Sequence, residues 1–114
     1  MTIQVFKQSA VFGPLDPKGP VPHPIGTEIC HTSAVNFQLS GARSGIWECT
    51  VGKYPRHIAE AEVMHILVGH ASFTPDDGTT IEIHAGDTLY FPPNTHGVWH
   101  IRETLRKIFV VLVP

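Results

Sequence analysis

The sequence lacks an apolar run long enough to cross a bilayer, and its first nine residues lack the apolar core of a secretory signal peptide. It also lacks an excess of charge of one sign, since the formal net charge of the 114 residues is −2. That charge gives no electrostatic reason to expect a nucleic acid or an anionic membrane as a partner. Cysteine is scarce, with only Cys30 and Cys49. We therefore expect a cytoplasmic protein whose two thiols are reduced and unpaired.

Glycine and proline are plentiful, and they divide the chain into short segments with strand character. There are ten of each. Residues 79–84 and 98–102 alternate apolar and polar side chains, and the strand expected at residues 105–113 becomes continuously apolar near its end. Short strands at close, even spacing are typical of a β-sandwich or barrel, of which the jelly roll is one case. The chain length suits one domain, so we predict a single all-β domain.

Residues 56–68 give two conflicting signals. On propensity alone, residues 58–67 favour a helix, because they are rich in good helix formers. The following Gly69 and the turn at residues 75–78 instead indicate two successive hairpins. We therefore predict strands in this stretch and no helix longer than two turns anywhere in the chain.

The first third of the chain is expected to be an extended arm. Residues 13–26 are so rich in proline and glycine that they cannot be helical. We interpret residues 1–40 as an N-terminal extended arm with the first strands, in the same domain as a barrel core of residues 41–114. The arm either lies along its own subunit or docks on a second one.

Short motifs in the rest of the chain carry a resemblance to a known family. They include a Trp-Glu-Cys strand, a Gly-Asp turn, a Pro-Pro corner and an Arg-Lys pair, and they lie at residues 45–50, 52–54, 62–69, 76–78, 86–88, 91–93, 97–99 and 104–107. The chain resembles the RmlC-like cupin superfamily, and more closely the small single-domain cupins related to ureidoglycine aminohydrolase and the ethanolamine-utilisation cupin. Many of those have unknown function. The resemblance implies a double-stranded β-helix, the cupin jelly-roll barrel, and a homodimer.

The resemblance also implies where a metal would bind. Glu62 and His57 stand at ligand positions of the first cupin motif, whereas the place of its first histidine is taken by a proline. In the second motif the expected third histidine is Gly97, and His96 lies one residue early. If a bulge re-aims His96, then His57, Glu62 and His96 could bind Mn, Fe, Ni or Zn. The alternative is that these are polar pocket residues and no metal is bound.

The pocket and its activity follow from the same resemblance. We expect Trp47, Tyr54 and Trp99 to line the pocket and Glu62 to be the catalytic residue, as a metal anchor or a general base. One hypothesis is a metal-assisted enzyme acting on a small polar, nitrogen-containing metabolite. The alternative is a non-catalytic cupin that binds a small ligand or has an accessory role.

Overall fold

A computed structural model of the protein describes residues 3–39 and 41–112. The described part contains one short helix and eight strands: α1 (Gln8–Val11), β1 (Asp16–Pro20), β2 (His31–Asn36), β3 (Arg43–Cys49), β4 (Gly52–Ile58), β5 (Glu62–Pro75), β6 (Ile81–His84), β7 (Thr88–Phe91) and β8 (Thr95–Val111). The all-β prediction is confirmed. The ambiguous stretch is strand, because β5 begins at Glu62 and no helix occupies residues 58–67.

Two long antiparallel strands, β5 and β8, form the spine of the barrel. Their first pairing runs from Glu62 opposite Val111 to Val68 opposite Arg106, and the second runs from His70 to Pro75 against residues 97–103. The register shifts between Ile66 and Ala71, where both strands pass from one face of the barrel to the other.

The remaining strands extend the two halves of this spine. β1 pairs with β2, β2 pairs with β3, and β3 pairs with the C-terminal half of β8. β7 pairs with the start of β5. On the other side, β4 pairs with the N-terminal half of β8, and β6 pairs with the end of β5. Two sheets that share bent strands in this way make a jelly roll, as the sequence predicted.

The interior is filled by the side chains that point inward from every second position of the strands. Met64 and Ile66 on β5 and Ile101 and Leu105 on β8 are fully buried, because every second residue of a strand faces the same side. Gly69 lies where β5 crosses between sheets, with a φ of +104°, and a Cβ there would lie 2.8 Å from the Leu105 Cα. A side chain at this position would therefore force the two spine strands apart.

The N-terminal arm lies against the outer face of the barrel. Arg106 Nη1 donates hydrogen bonds of 2.9 Å to the carbonyl oxygens of Val11, the last residue of α1, and Gly13. Arg106 Nε also donates to Glu48 Oε2 at 2.8 Å. The proline-rich segment is extended, as expected, and supplies β1.

The assignment of residues 1–40 and 41–114 to one domain stays a prediction, and positions 1, 2, 40, 113 and 114 lie outside the described residues. Among the helices of the described part, none is long and apolar enough to span a membrane.

Candidate functional site

A buried ion pair lies inside one end of the barrel. Lys107 Nζ donates a hydrogen bond to Glu62 Oε2 at 3.0 Å. Lys107 points inward because it shares its face of β8 with Leu105 and Val111, both buried. Glu62 is the first residue of β5 and lies directly opposite Val111. The side chains of Lys107 and Glu62 are only 8% and 13% exposed, so bulk water screens the pair weakly.

Aromatic rings and a thioether surround the ammonium of Lys107. Its Nζ lies 4.6 Å from the ring centroid of Trp47 and 5.7 Å from that of Trp99, both within cation–π range. The sulfur of Met64 is 3.5 Å away. Burial lowers the pKa of Lys107, and the facing Glu62 carboxylate opposes part of that shift. The amine thus sits in an apolar setting with one carboxylate as its direct ionic partner.

The ion pair forms part of the wall of a cavity of about 220 Å³. Three cationic side chains and one carboxylate line this cavity, together with two indole rings, an amide and three apolar side chains. Its lining residues are Asn36, Arg43, Trp47, Arg56, Ile58, Glu62, Trp99, Lys107, Phe109 and Val111. Arg43 also pairs with Glu60 at 3.1 Å, through side chains that are 59% and 37% exposed. The lining as a whole is therefore positive and suits a small anionic ligand.

The two histidines that were expected to join Glu62 face away from this cavity. His57 lies between Arg56 and Ile58, which line it, and strand alternation turns His57 to the outer face. His57 is paired with His96 across β4 and β8, and their rings stack with centroids 3.9 Å apart. His57 and Glu62 both border a shallow depression of about 130 Å³ at the rim. In residues 3–39 and 41–112, no group of three His, Cys, Asp or Glu could hold a metal ion.

Comparison with known proteins places this barrel in a family. Residues 38–109 match the EutQ-like cupin domain family. The chain belongs to this family. No match was found among curated proteins.

Solved structures show the same fold. A putative ethanolamine utilization protein EutQ from Salmonella typhimurium LT2 is 14% identical, with 87% of this chain and 97% of that one covered and a TM-score of 0.64. A DUF861 family protein from Thermotoga maritima is 30% identical over 59% of this chain and 76% of that one, with a TM-score of 0.58. A DUF861 protein of unknown function from Pseudomonas syringae pv. tomato is 21% identical, and covers 90% of this chain, with a TM-score of 0.76. This chain corresponds to only 46% of that Pseudomonas protein. The molecule is thus a small cupin of uncharacterised activity.

The metal site expected from the sequence is not assembled in this EutQ-like cupin. The bulge that would re-aim His96 is absent, since β4 and β8 pair in unbroken register from Gly52 opposite Ile101 to Ile58 opposite Thr95. The expected position of the third histidine is closed as well, because a Cβ on Gly97 would lie 2.6 Å from the Phe73 ring. Glu62 already binds the Lys107 ammonium, which would repel a divalent cation placed beside it. The residues present therefore do not fit a metal held by His57, Glu62 and His96.

The three aromatic residues expected at the pocket of the cupin lie in two places. Trp47 and Trp99 line the Glu62–Lys107 cavity, with ring centroids 6.4 Å apart. Tyr54 does not line it. Tyr54 is buried beside Cys49, and burial raises its pKa far above the ordinary value.

The Pro-Pro corner and the residues that follow it, 92–96, line a separate and more apolar cavity of about 520 Å³. That cavity shares no lining residue with the Glu62–Lys107 cavity. The corner and Glu62 are therefore not two walls of one pocket.

The pattern of histidines and carboxylates did not reveal Lys107, Arg43 or Arg56. A signal for Lys107 is present in the sequence, because it alternates in step with Leu105 and Phe109 on a strand that is otherwise apolar near its end. A charged residue on the apolar face of a strand requires a buried partner. Arg56 alternates in the same way with Tyr54 and Ile58 on β4, but its own side chain is exposed.

Proposed function

We propose that this EutQ-like cupin is an enzyme that binds a small anionic metabolite in the Glu62–Lys107 pocket and transfers a proton through Glu62. The observation that supports this proposal most directly is the ion pair itself, 3.0 Å long and almost buried in the wall of a cavity. A buried ion pair seldom adds more stability than apolar side chains of the same volume. Paired titratable groups in a cleft, with the pKa of one of them displaced, are typical of functional sites.

The lining residues suggest a role for each charged group. Arg43 and Arg56 are donors of the kind that bind carboxylates through two parallel hydrogen bonds. Glu62 lies deeper, where its carboxylate can accept a proton from the bound ligand. The Lys107 ammonium then stabilises negative charge that develops on the ligand, and it does so in surroundings of low dielectric constant.

The pocket supports a metal-free form of the activity expected from the sequence. The hypothesis of a metal-assisted enzyme required His57 and His96 on the same side as Glu62, and both histidines lie on the outer face. The excess of positive charge in the lining favours a ligand with an anionic group. A nitrogen atom in the substrate stays a prediction, since the lining has no feature that selects an amine or an amide.

A non-catalytic binding or accessory role is the alternative, and one observation favours it. Glu62 and Lys107 already satisfy one another, so the pocket could bind an anion without any reaction. The two proposals share the ligand and the site. They differ in whether the ligand is converted.

One experiment tests the proposed site and separates the two functions. Small carboxylic acids, with and without an amino group, are screened for thermal stabilisation of the protein, and each stabilising acid is then followed by proton NMR for turnover. We expect stabilisation of the wild type and loss of stabilisation in Lys107→Met, with turnover but not binding lost in Glu62→Gln. Lys53→Met and Glu103→Gln, at exposed positions away from the cavity, are the matched controls. Binding without turnover would leave the non-catalytic role, and equal stabilisation of Lys107→Met would show that the site is misplaced.

We also propose that the protein is a homodimer in the cytoplasm. The arm exposes apolar side chains near α1, with Ile3 90%, Val5 69% and Phe12 44% exposed. Apolar surface of this kind is typical of an interface. Light scattering should give twice the chain mass of 12.5 kDa, and a mass of one chain at high micromolar concentration would contradict the dimer. The cytoplasm is proposed because two unpaired thiols persist most readily in a reducing compartment.

A further inference from the structure

We propose that Lys107 forms an imine with the carbonyl carbon of a small oxo acid bound in the Glu62–Lys107 pocket, an inference that rests on the proposed function. Lys107 is the exception among the four lysines of the chain. Its side chain is buried at a cavity wall, whereas Lys7, Lys18 and Lys53 are exposed. An amine must be neutral to attack a carbonyl, and a buried lysine in apolar surroundings is the kind that loses its proton most readily.

The groups around Lys107 allow that neutral state. Burial is the largest influence and lowers its pKa, and Arg56 on β4 lowers it further. Glu62 on β5 and Cys49 on β3 act in the opposite direction, and the net effect is a lowered pKa. Arg43 on β3 adds a further positive charge to the lining. Glu62 Oε2 lies 3.0 Å from Nζ, so the ion pair can become a neutral amine beside a neutral carboxylic acid by one proton transfer.

The cavity suits an oxo acid in both size and chemistry. Its volume of about 220 Å³ corresponds to about seven waters, and a ligand of about that many non-hydrogen atoms would replace them. Arg43 and Arg56 would bind the ligand's carboxylate. The indole rings of Trp47 and Trp99 border the space next to Nζ, where the carbonyl carbon would lie.

The reaction balances without an oxidant, a reductant or a cofactor. The lone pair of Nζ attacks the carbonyl carbon, a C–N bond forms, and the electrons of the C=O π bond move to oxygen. Glu62 gives its proton to that oxygen and then takes one from the nitrogen. The hydroxyl group leaves as water after it is protonated again by Glu62, and a C=N bond replaces the C=O bond. One oxo acid is consumed and one water is released for each imine formed.

The test is reductive trapping on the full-length protein. Wild-type protein is mixed with pyruvate or glyoxylate and sodium cyanoborohydride at pH 7, which converts an imine to a stable secondary amine, and the modified lysines are located by peptide mass spectrometry. We expect Lys107 to be labelled several times more heavily than the average of the three exposed lysines, because its lowered pKa gives it more neutral amine at pH 7 and the cavity would hold the oxo acid beside it. The exposed lysines are an internal control for non-specific alkylation.

Two variants and one binding measurement complete the test. Glu62→Gln should slow labelling of Lys107 by about tenfold or more, since general acid–base catalysis typically contributes that much or more. Labelling of Glu103→Gln should equal that of the wild type. Equal labelling of all four lysines, or none at Lys107, would overturn the imine. If pyruvate still stabilises the wild type but not Lys107→Met, that result leaves the proposed binding site standing, and absence of both effects would overturn both proposals.

Discussion

Replacement of Glu62 by glutamine is the most informative perturbation of stability, because it removes a charge and keeps the shape of the side chain. The variant would leave Lys107 buried without its ionic partner, and the loss of one partner of a buried pair typically lowers the free energy of unfolding by about 3–5 kcal/mol. The cation–π contacts with Trp47 and Trp99 remain in the variant. We therefore expect the lower end of that range, about 3 kcal/mol at pH 7.

The size of this effect should depend on pH through Lys107. In the unfolded chain its pKa is about 10.4, and in the folded protein burial lowers that pKa. Between the two values the unfolded chain binds more protons, so stability rises with pH in that window. Without the Glu62 carboxylate the folded pKa falls further and the window widens. The destabilisation caused by Glu62→Gln should therefore shrink as the pH is raised from 7 towards 10.

Urea unfolding of the wild type and three variants at pH 7 and 9.5 measures this. Glu103→Gln is the exposed control and should unfold within about 0.5 kcal/mol of the wild type. The double variant Glu62→Gln, Lys107→Met should recover most of the loss, because the unpaired charge is gone. If Glu62→Gln matches Glu103→Gln at both pH values, Glu62 and Lys107 do not form a buried pair and the reasoning fails.

Three further predictions concern the rest of the barrel. Gly97→His, which restores the expected third histidine, should lower the melting temperature strongly, since its side chain would collide with the Phe73 ring; a variant as stable as the wild type would contradict the observed packing. Cys30 and Cys49 should resist a thiol reagent at pH 8 in the native protein, because both are buried and burial raises their pKa values. Two thiols should react after denaturation without reductant, and finding no reactive thiol in the denatured protein would show that both cysteines are oxidised. Arg106→Met should free the arm near α1 and speed its proteolysis, and unchanged cleavage would show that these hydrogen bonds do not hold it.

The fold could be predicted because local signals agreed with the final architecture. Gly69 outweighed the helix propensity of residues 58–67 in the prediction, and the stretch is indeed strand. The hairpin expected at Gly69 is wrong, however, because β5 runs through Gly69 from Glu62 to Pro75 and pairs with β8 along nearly its whole length. That pairing is tertiary, which explains why propensity alone favoured the wrong element there. α1 carried no signal that stood out from the surrounding arm, and it is only four residues long.

The candidate site could be predicted only in part. The resemblance to the cupin motifs predicted Glu62, Trp47 and Trp99 as site residues, and all three line the cavity. His96 follows the strand period, so its shift of one residue turned it to the outer face, and the expected bulge is not there to correct it. Lys107 could not be predicted as the partner of Glu62, because the two residues meet only through the pairing of β5 with β8. They are 45 positions apart in the sequence, which gives no local sign of such a contact.

The most direct test of the central claim uses the two tryptophans of the chain. Both line the Glu62–Lys107 cavity, so their indole N–H signals in a ¹H–¹⁵N NMR spectrum respond to a ligand bound there. Trp47 also lines a depression beside Tyr54, so Trp99 is the more specific reporter. Titration with pyruvate should shift both signals in the wild type and in Lys53→Met, and should leave them in place in Lys107→Met. Signals that do not move in the wild type, or that move equally in Lys107→Met, would contradict the assignment of this pocket as the functional site.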